Sequence, residues 1–144
     1  NPSPMASLSV PAHLDSLAPI AEFVVGVATA AGIERKPAYR LRLAVDEIAT
    51  NIVLHGYEEN GMTGEIIIHA ETTAETLTIA LEDKSPAFDP FSLEEPDSID
   101  RSLEERPIGG LGVFLAVRGV DEYRYEYLNG ANCNIFTVQR PPQA

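Results

Sequence analysis

The sequence predicts an α+β fold, a two-layer sandwich in which helices cover one face of a mixed, mainly antiparallel sheet. Two helical segments come early in the chain, and strands joined by short turns follow them. Helices grouped in a block and strands paired as hairpins favour this class over a doubly wound parallel sheet. The chain has 144 residues, 44% of them hydrophobic. That is enough for one domain with a sizeable core, so we expect residues 1–144 to form a single domain.

The first half of the chain predicts a short strand and two helices. The strand covers 5–10. Apolar residues recur at helical spacing over 13–32, where Gly32 is suited to end the helix as a C-cap. A second helix is predicted from about 37 to 57, and Pro37 fits its first turn because no helical hydrogen bond needs its missing N–H.

The strands are predicted as two hairpins. The segments 65–73 and 76–83 are separated by two residues, which favours an antiparallel pair. The segments 121–128 and 131–140 flank Asn129-Gly130, and Asn-Gly is the strongest short hairpin signal.

Between the hairpins lies a long segment of a different character. Residues 84–108 are rich in proline and acidic residues and show no clean periodicity, so they are predicted to form a loop. A loop of this length inside a domain is usually functional or disordered. Residues 109–120 begin with glycines and are predicted to continue as a helix.

The charge balance limits the partners. Acidic residues outnumber basic ones by 22 to 10, which gives a net charge of −12. Such a surface repels nucleic acid and anionic membranes, so we expect neither as a partner. A single cysteine excludes an internal disulfide. No segment reads as a membrane span or a signal peptide, and the cytoplasm is the expected location.

The second predicted helix carries two polar residues in an apolar setting. Glu47 and Asn51 lie four residues apart and therefore project from the same face, among Ala44, Ile48 and Ile52. One interpretation is a solvated polar edge. The other is a site in which Asn51 offers an amide oxygen to Mg²⁺ and Glu47 accepts a proton from a nucleophile.

Two further places could carry chemistry. Asp83 ends a predicted strand, where an aspartate is either a turn former or a fixed acceptor for a ligand N–H such as the adenine amine. Gly109, Gly110 and Gly112 stand at a loop-to-helix junction, where backbone amides can bind phosphate oxygens, although glycines also simply begin helices. The pattern is not a P-loop, because no Gly-Lys-Ser/Thr follows it.

Taken together, these segments resemble a known family. "DEIATNIVLHGY" resembles the N box of the GHKL ATP-binding fold, and "LEDKSPAFDP" and "RPIGGLGVFLAV" resemble its two glycine boxes. Within that fold the order of motifs is similar to the bacterial anti-sigma-factor serine kinases. The resemblance runs from about residue 8 to residue 140, and its last 21 residues, 120–140, resemble the closing hairpin.

The resemblance implies a role for each motif. Asn51 would hold Mg²⁺, Glu47 would be the general base, Asp83 would accept from the adenine amine, and 84–108 would be the ATP lid. The implied cofactors are ATP and Mg²⁺. The nucleotide-binding residues are then Asn51, Asp83, Ala87, Phe88, Arg106, Gly109, Gly110, Leu111, Gly112 and Val113.

Two positions depart from the family pattern. Ser85 occupies a place that is usually glycine, and a serine there is costly if the backbone needs a positive φ. Kinases of this group often have an arginine just before the second glycine box, whereas Ile108 and Gly109 fill those places here. Arg106 and Arg101 are the nearest candidates.

The function predicted by the resemblance is that of a serine/threonine protein kinase and anti-sigma factor. Its substrate would be a STAS-type anti-sigma-factor antagonist and its second partner a sigma factor, and a homodimer is left open. The alternative is a non-catalytic regulator that binds ATP and sequesters a partner. A fragment of a sensor histidine kinase is disfavoured, because the sequence shows no preceding dimerisation helix with a phospho-accepting histidine.

Overall fold

A computed structural model describes residues 5–90 and 116–142, which form one five-stranded sheet and two main helices. The sheet order is β1-β2-β3-β5-β4, and all four strand pairs are antiparallel. The α+β class is therefore confirmed, and no parallel pair occurs among these strands. The strands are β1 Met5–Pro11, β2 Glu65–Thr72, β3 Thr76–Asp83, β4 Glu122–Leu128 and β5 Ala131–Gln139.

The first helix, α1, covers Leu17–Ala30 and is shorter than predicted. A 3₁₀ turn, Leu14–Ser16, occupies the predicted start of the helix. The cause is local, since His13 Nδ1 accepts a hydrogen bond from the Asp15 N–H at 3.0 Å and caps the 3₁₀ turn. At the other end Gly32 has φ of 76°, as predicted for a residue that terminates a helix.

The second helix changes form where the predicted motif lies. The α-helix α2 covers Arg35–Asn51, and Pro37 sits in its first turn as predicted. Ile52–Tyr57 continues the helix with π geometry. π turns are rare and occur frequently at functional sites. The predicted helix to residue 57 therefore exists, but its last six residues follow a different hydrogen-bond register.

The core lies between the helices and one face of the sheet, called here the inner face. Alternate strand residues point into it, as the strict alternation of burial along β3 shows. Each fully buried aliphatic or aromatic side chain stabilises the fold by about 1.5–3 kcal/mol. The largest contributors include Ile20, Leu41, Ile48, Ile68, Ile79, Leu81 and Phe136.

One end of the inner face is polar. Asp83 ends β3, and its direct neighbour on β5 is Asn132, with Asn134 two residues further along. All three are buried, with exposed fractions of 1–2%. The sheet therefore continues its alternation but replaces apolar residues with polar ones where β3 ends.

No helix among residues 5–90 and 116–142 is both long and apolar enough to cross a lipid bilayer.

Gly64 tests the packing of the helix end against the sheet. A Cβ at Gly64 would lie 2.6 Å from Cε1 of Tyr57, whose ring is buried and hydrogen-bonded at its hydroxyl. We expect Gly64→Ala to lower the free energy of unfolding by roughly 1–3 kcal/mol, because the ring has nowhere to move. Urea unfolding followed by circular dichroism measures the change.

The matched control is Gly26→Ala. Gly26 lies within α1 and has nothing within 4 Å of an added Cβ. Alanine is the better helix former by about 1 kcal/mol, so this variant should be more stable than the wild type. Equal effects at both glycines would show that the Tyr57 contact is not tight.

Candidate functional site

Asn132 is the centre of a buried polar network at the end of β3. Its Nδ2 donates to Asp83 Oδ1 at 3.1 Å, to the Ser85 carbonyl at 3.0 Å and to the Pro86 carbonyl at 3.2 Å. Its Oδ1 accepts from the Phe88 N–H at 2.9 Å. One side chain thus holds the carboxylate and the backbone of the segment that follows it.

Tyr125 on β4 completes this network. Its hydroxyl donates to Oδ1 of Asn132 and accepts from the Phe88 N–H at 3.1 Å. The two strands of the closing hairpin therefore both hold the chain at Phe88. Residues 84–90 have no regular secondary structure, and these side-chain bonds fix their course.

Asp83 has one satisfied oxygen and one unsatisfied oxygen. Oδ1 accepts from the Ser85 N–H at 3.0 Å and from its hydroxyl as well as from Asn132. Oδ2 is buried and has no hydrogen-bond partner within the described residues. Burial raises the pKa of Asp83 above its ordinary value, and the bonds from Ser85 and Asn132 oppose that shift. A buried acceptor without a donor is costly, so this oxygen is suited to receive a ligand N–H.

Ser85 does not need the backbone freedom of glycine. Among the described residues, Asn129 is the one non-glycine residue with a positive φ, so Ser85 pays no such strain. Its side chain instead occupies the space above Gly56, where a Cβ would lie 2.6 Å from the Ser85 hydroxyl. Position 85, where the family pattern usually has glycine, therefore holds a serine whose side chain packs against Gly56 on the facing π turn.

Tyr57 ties the end of that π turn to both neighbouring strands. Its hydroxyl donates to the Glu65 carbonyl at 3.0 Å and accepts from the Lys84 N–H at 2.9 Å. The helix that carries Asn51 and the strand that carries Asp83 are therefore held in a fixed relation.

Asn51 and Glu47 lie on α2 as predicted, and they differ in burial. Asn51 is 3% exposed, and its Nδ2 has no hydrogen-bond partner in the described part of the chain. Glu47 is half-buried. Desolvation, with a smaller contribution from the neighbouring charge of Asp46, raises the pKa of Glu47. A raised pKa brings a carboxylate closer to the range in which it can take up a proton.

The other predicted residues divide into two groups. Phe88 is half-buried and stacks on His55 with ring centroids 6.0 Å apart, whereas Ala87 is exposed. His55 also bonds Glu59 through Nδ1 at 2.8 Å. Residues 91–108 of the predicted lid lie outside the described residues. The remaining predicted site residues lie outside them as well, namely Arg106, Gly109, Gly110, Leu111, Gly112 and Val113.

Sequence reasoning missed the polar residues of the closing hairpin. Tyr123 donates to Oδ1 of Asn134 at 2.5 Å, and Nδ2 of Asn134 is buried without a partner in the described ranges. A signal existed, because "NCN" puts asparagine at 132 and 134, two alternate strand positions that the pattern assigns to the core. Buried asparagines in a strand are expensive unless they are bonded, which marks them as candidates for a site.

A cleft of about 390 Å³ opens beside the end of β3. It is lined by Ile67 and Glu82, which point to the opposite, outer face of the sheet, and also by Lys84, Asp83 and Tyr57. In the described residues no cluster of three or more His, Cys, Asp or Glu side chains forms a metal site there or elsewhere. The unpartnered polar atoms are on the inner face, so we assign the functional site to that face.

The chain has the fold and the sequence of an ATPase-type domain. A family model described as the histidine kinase-like ATPase domain matches residues 10–139. The chain belongs to this family. The predicted resemblance to the GHKL fold and its kinases is confirmed by this match and by the relatives that follow.

The relatives are serine kinases of one type. The chain is 31% identical over 118 residues to the serine-protein kinase RsbW of Staphylococcus aureus, in strains JH9 and Newman alike. The match covers 80% of this chain and 74% of each relative. The chain is thus similar to RsbW over most of both lengths.

Two solved structures share the fold. The RsbU and RsbW domains of Rv1364c from Mycobacterium tuberculosis match with a TM-score of 0.64 and 16% identity, over 99% of this chain and 34% of that one. The histidine kinase domain of the blue-light activated kinase EL346 from Erythrobacter litoralis matches with a TM-score of 0.52 and 16% identity, over 86% and 59%. At this identity the structures support the fold alone.

The raised pKa of Asp83 predicts a pH-dependent cost. Because the folded state binds the proton more tightly than the unfolded state, Asp83 lowers stability as pH rises from its ordinary value of 3.8 through the raised value. Asp83→Asn keeps an oxygen for Ser85 and Asn132 and removes the charge. We expect this variant to be more stable than the wild type at pH 7, with the gain shrinking as pH falls through the raised pKa of Asp83 toward 3.8.

Urea unfolding of both proteins across that pH range measures the difference. Glu82→Gln is a suitable control, because Glu82 precedes Asp83 and points to the outer face. A constant difference between wild type and Asp83→Asn at all pH values would contradict a buried, desolvated carboxylate.

Proposed function

We propose that this protein is a serine/threonine protein kinase and anti-sigma factor that binds Mg²⁺-ATP at the polar end of the inner face. The observation that carries the proposal is the buried, unpartnered Oδ2 of Asp83, held in position by Asn132 and Ser85. The membership of the ATPase family and the similarity to RsbW support the nucleotide and the reaction type.

The residues present fit a purine with an exocyclic amine. Asp83 offers a fixed acceptor, and its geometry does not depend on the ligand because three donors already hold Oδ1. Binding energy is then not spent on ordering the side chain. An adenine amine would relieve the cost of the unsatisfied Oδ2, whereas a carbonyl oxygen at the same place would leave it unpaired and repelled.

Asn51 fits the phosphate side of the same ligand. Its buried amide has an unused donor, which suits a phosphate oxygen, and rotation of the amide presents its oxygen to a hard cation instead. Mg²⁺ commonly takes one or two protein oxygens and completes its shell with water and substrate phosphates. The bound ion would neutralise charge on the transferred phosphoryl group.

Glu47 is proposed as the general base. It stands one helical turn before Asn51 on the same face of α2, and its half-buried position leaves one side open to a protein hydroxyl. Its raised pKa matches the task of taking a proton from serine. Two residues of one helix would thereby do both tasks: Asn51 would hold the metal and Glu47 would accept the proton of the serine.

The rest of the predicted site belongs to the same proposal. Gly109, Gly110 and Gly112 would bind the phosphates with their backbone amides, and Leu111 and Val113 would belong to the same segment. Arg106 would contact the γ-phosphate. Ala87 and Phe88 would line the base side, and 84–108 would be the ATP lid.

The proposed partners come from the same similarity. The substrate would be a STAS-type anti-sigma-factor antagonist, the second partner would be a sigma factor, and a homodimer is compatible with both. We also propose the cytoplasm as the location, because ATP is the phosphoryl donor. A non-catalytic regulator would use the same site to bind ATP and would differ only in the absence of transfer.

Nucleotide preference tests the role of Asp83. We expect isothermal titration calorimetry to show at least about fivefold tighter binding of Mg²⁺-ATP than of Mg²⁺-ITP, which differs at the purine 6-position. An unpaired buried group costs about 1–3 kcal/mol, which corresponds to such a ratio. Asp83→Asn should reduce or reverse the preference. Equal affinities for ATP and ITP would contradict the assignment of Asp83.

Substitutions on α2 separate binding from transfer. Glu47→Gln should slow phosphoryl transfer to a STAS protein by about 10²–10⁴-fold and leave ATP affinity nearly unchanged, because the amide keeps the shape and loses the proton affinity. Asn51→Ala should weaken Mg²⁺-dependent ATP binding and transfer together. Radiolabelled transfer and calorimetry measure the two effects.

Asp46→Asn is the matched control. Asp46 adjoins Glu47 in sequence but points about 100° away around the helix, and its charge makes only the smaller contribution to the raised pKa of Glu47. Its loss should therefore change the turnover rate far less than Glu47→Gln does. Phosphoryl transfer by Glu47→Gln at the wild-type rate would refute the assignment of Glu47 as the general base. ATP binding without transfer to any tested STAS protein would favour the non-catalytic regulator.

A further inference from the structure

The start of α2 has a charge opposite to that of the chain. Four of the ten basic residues fall within eight positions, at Arg35, Lys36, Arg40 and Arg42, and no acidic residue stands among them. The other 136 residues therefore hold 6 basic and 22 acidic residues, a balance of −16. All four basic residues are exposed.

The charges of these four residues do not stabilise the fold. None of the four forms an ion pair within the described residues. They also lie in the first half of a helix, where the macrodipole favours anions, and the first turn has no acidic residue. Clustered like charges at this end cost stability, so their placement is better explained by a partner than by folding.

Apolar groups lie among the cations. Tyr39 is 54% exposed and Leu43 is 42% exposed, and their four-residue spacing puts them on one face of α2. Beside this face, Arg42 borders a shallow, mainly apolar groove of about 500 Å³ along α1, lined also by Ala18, Val25 and one acidic residue, Glu22. Exposed aromatic and aliphatic groups within a charged rim are typical of protein interfaces.

The same exposed face ends at Glu47. At 100° per residue, Arg40, Leu43 and Glu47 fall within an arc of about 60°. Glu47 follows Arg40 by seven residues, so about 10 Å along the axis separates them. The aliphatic stem of Arg40 packs closely over Gly119. A Cβ added at Gly119 would lie only 3.1 Å from Arg40 Cβ. A protein bound to this face would therefore extend toward the proposed base.

We propose that the exposed side of α2, an arc of about 160° that comprises Arg35, Lys36, Tyr39, Arg40, Arg42 and Leu43, is a docking surface for the protein substrate, which presents an acidic surface with apolar side chains beside its acceptor serine. The proposal rests on the proposed function and names how the substrate is recognised. The surface attracts acidic groups while the rest of the chain repels them, so the orientation of the partner is fixed during encounter. A nucleic acid is disfavoured because the remainder of the chain would repel its phosphates.

Charge reversal at Arg42 tests the surface in the kinase reaction. With a STAS protein from the same genome as substrate, Arg42→Glu should raise KM on the order of threefold to tenfold and leave kcat and ATP affinity unchanged. Raising the salt concentration should increase the KM for the protein substrate more in the wild type than in the variant. Arg124→Glu is the matched control, because Arg124 is exposed on the outer face of the sheet and changes the net charge equally. Equal KM changes in both variants would overturn the docking surface.

A second arm does not depend on catalysis. The reagent is a fluorescent helical peptide with glutamates on one face and leucines on the other, and its control has glutamine for each glutamate. Fluorescence anisotropy should show binding of the acidic peptide to the wild type and to Arg124→Glu, and weaker binding to Arg42→Glu. Absence of transfer with this pattern intact would refute the kinase and keep the docking surface. Binding of both peptides alike would overturn the proposal, as would equally tight binding of duplex DNA or a dimer that Arg42→Glu dissociates.

Discussion

The buried bond between Asp83 and Asn132 is the constraint on which the site depends. Taking a carboxylate out of water is costly unless its oxygens are bonded, and Asn132 with Ser85 satisfies only Oδ1. The folded protein therefore keeps the desolvation cost of the unbonded Oδ2 at the end of β3. A ligand that supplies one N–H removes the remainder, so the stability given up by the free protein is recovered as affinity and selectivity.

The surrounding packing keeps that carboxylate in place. Ser85 fits against Gly56, and the Tyr57 hydroxyl bridges Lys84 and Glu65. These contacts join the π turn at the end of α2 to the strand that carries Asp83. The part of the proposed site that holds the metal and the part that holds the adenine are consequently packed together. A substitution in either part is expected to alter the structure of the other.

Much of the fold follows from local patterns. The hairpin at Asn129-Gly130 forms because both residues adopt positive φ, which few other pairs do without strain. Gly32 ends the α1 region for the same kind of reason. The π register of Ile52–Tyr57 was not predicted. It occurs where Gly56 packs against Ser85, a contact across the fold that the neighbouring sequence does not reveal.

The site divides in the same way. Glu47, Asn51 and Asp83 were predicted because helical spacing and a strand end place them without knowledge of the rest of the structure. Asn132 and Tyr125 were missed because their roles appear only once β5 is paired with β3 and β4. Their hydrogen bonds join residues 7 to 49 positions apart, which no local pattern reveals.

The central claim is that Mg²⁺-ATP binds at the inner face, between Asn51 and Asp83. Nuclear magnetic resonance of the ¹⁵N-labelled protein observes the side-chain amides of asparagine directly. During titration with Mg²⁺-ATP the account predicts a large shift of the Asn51 amide and of the Ser85 and Phe88 backbone amides. An unchanged Asn51 amide, with shifts confined to Ile67 and Glu82 on the outer face of the sheet, would contradict it.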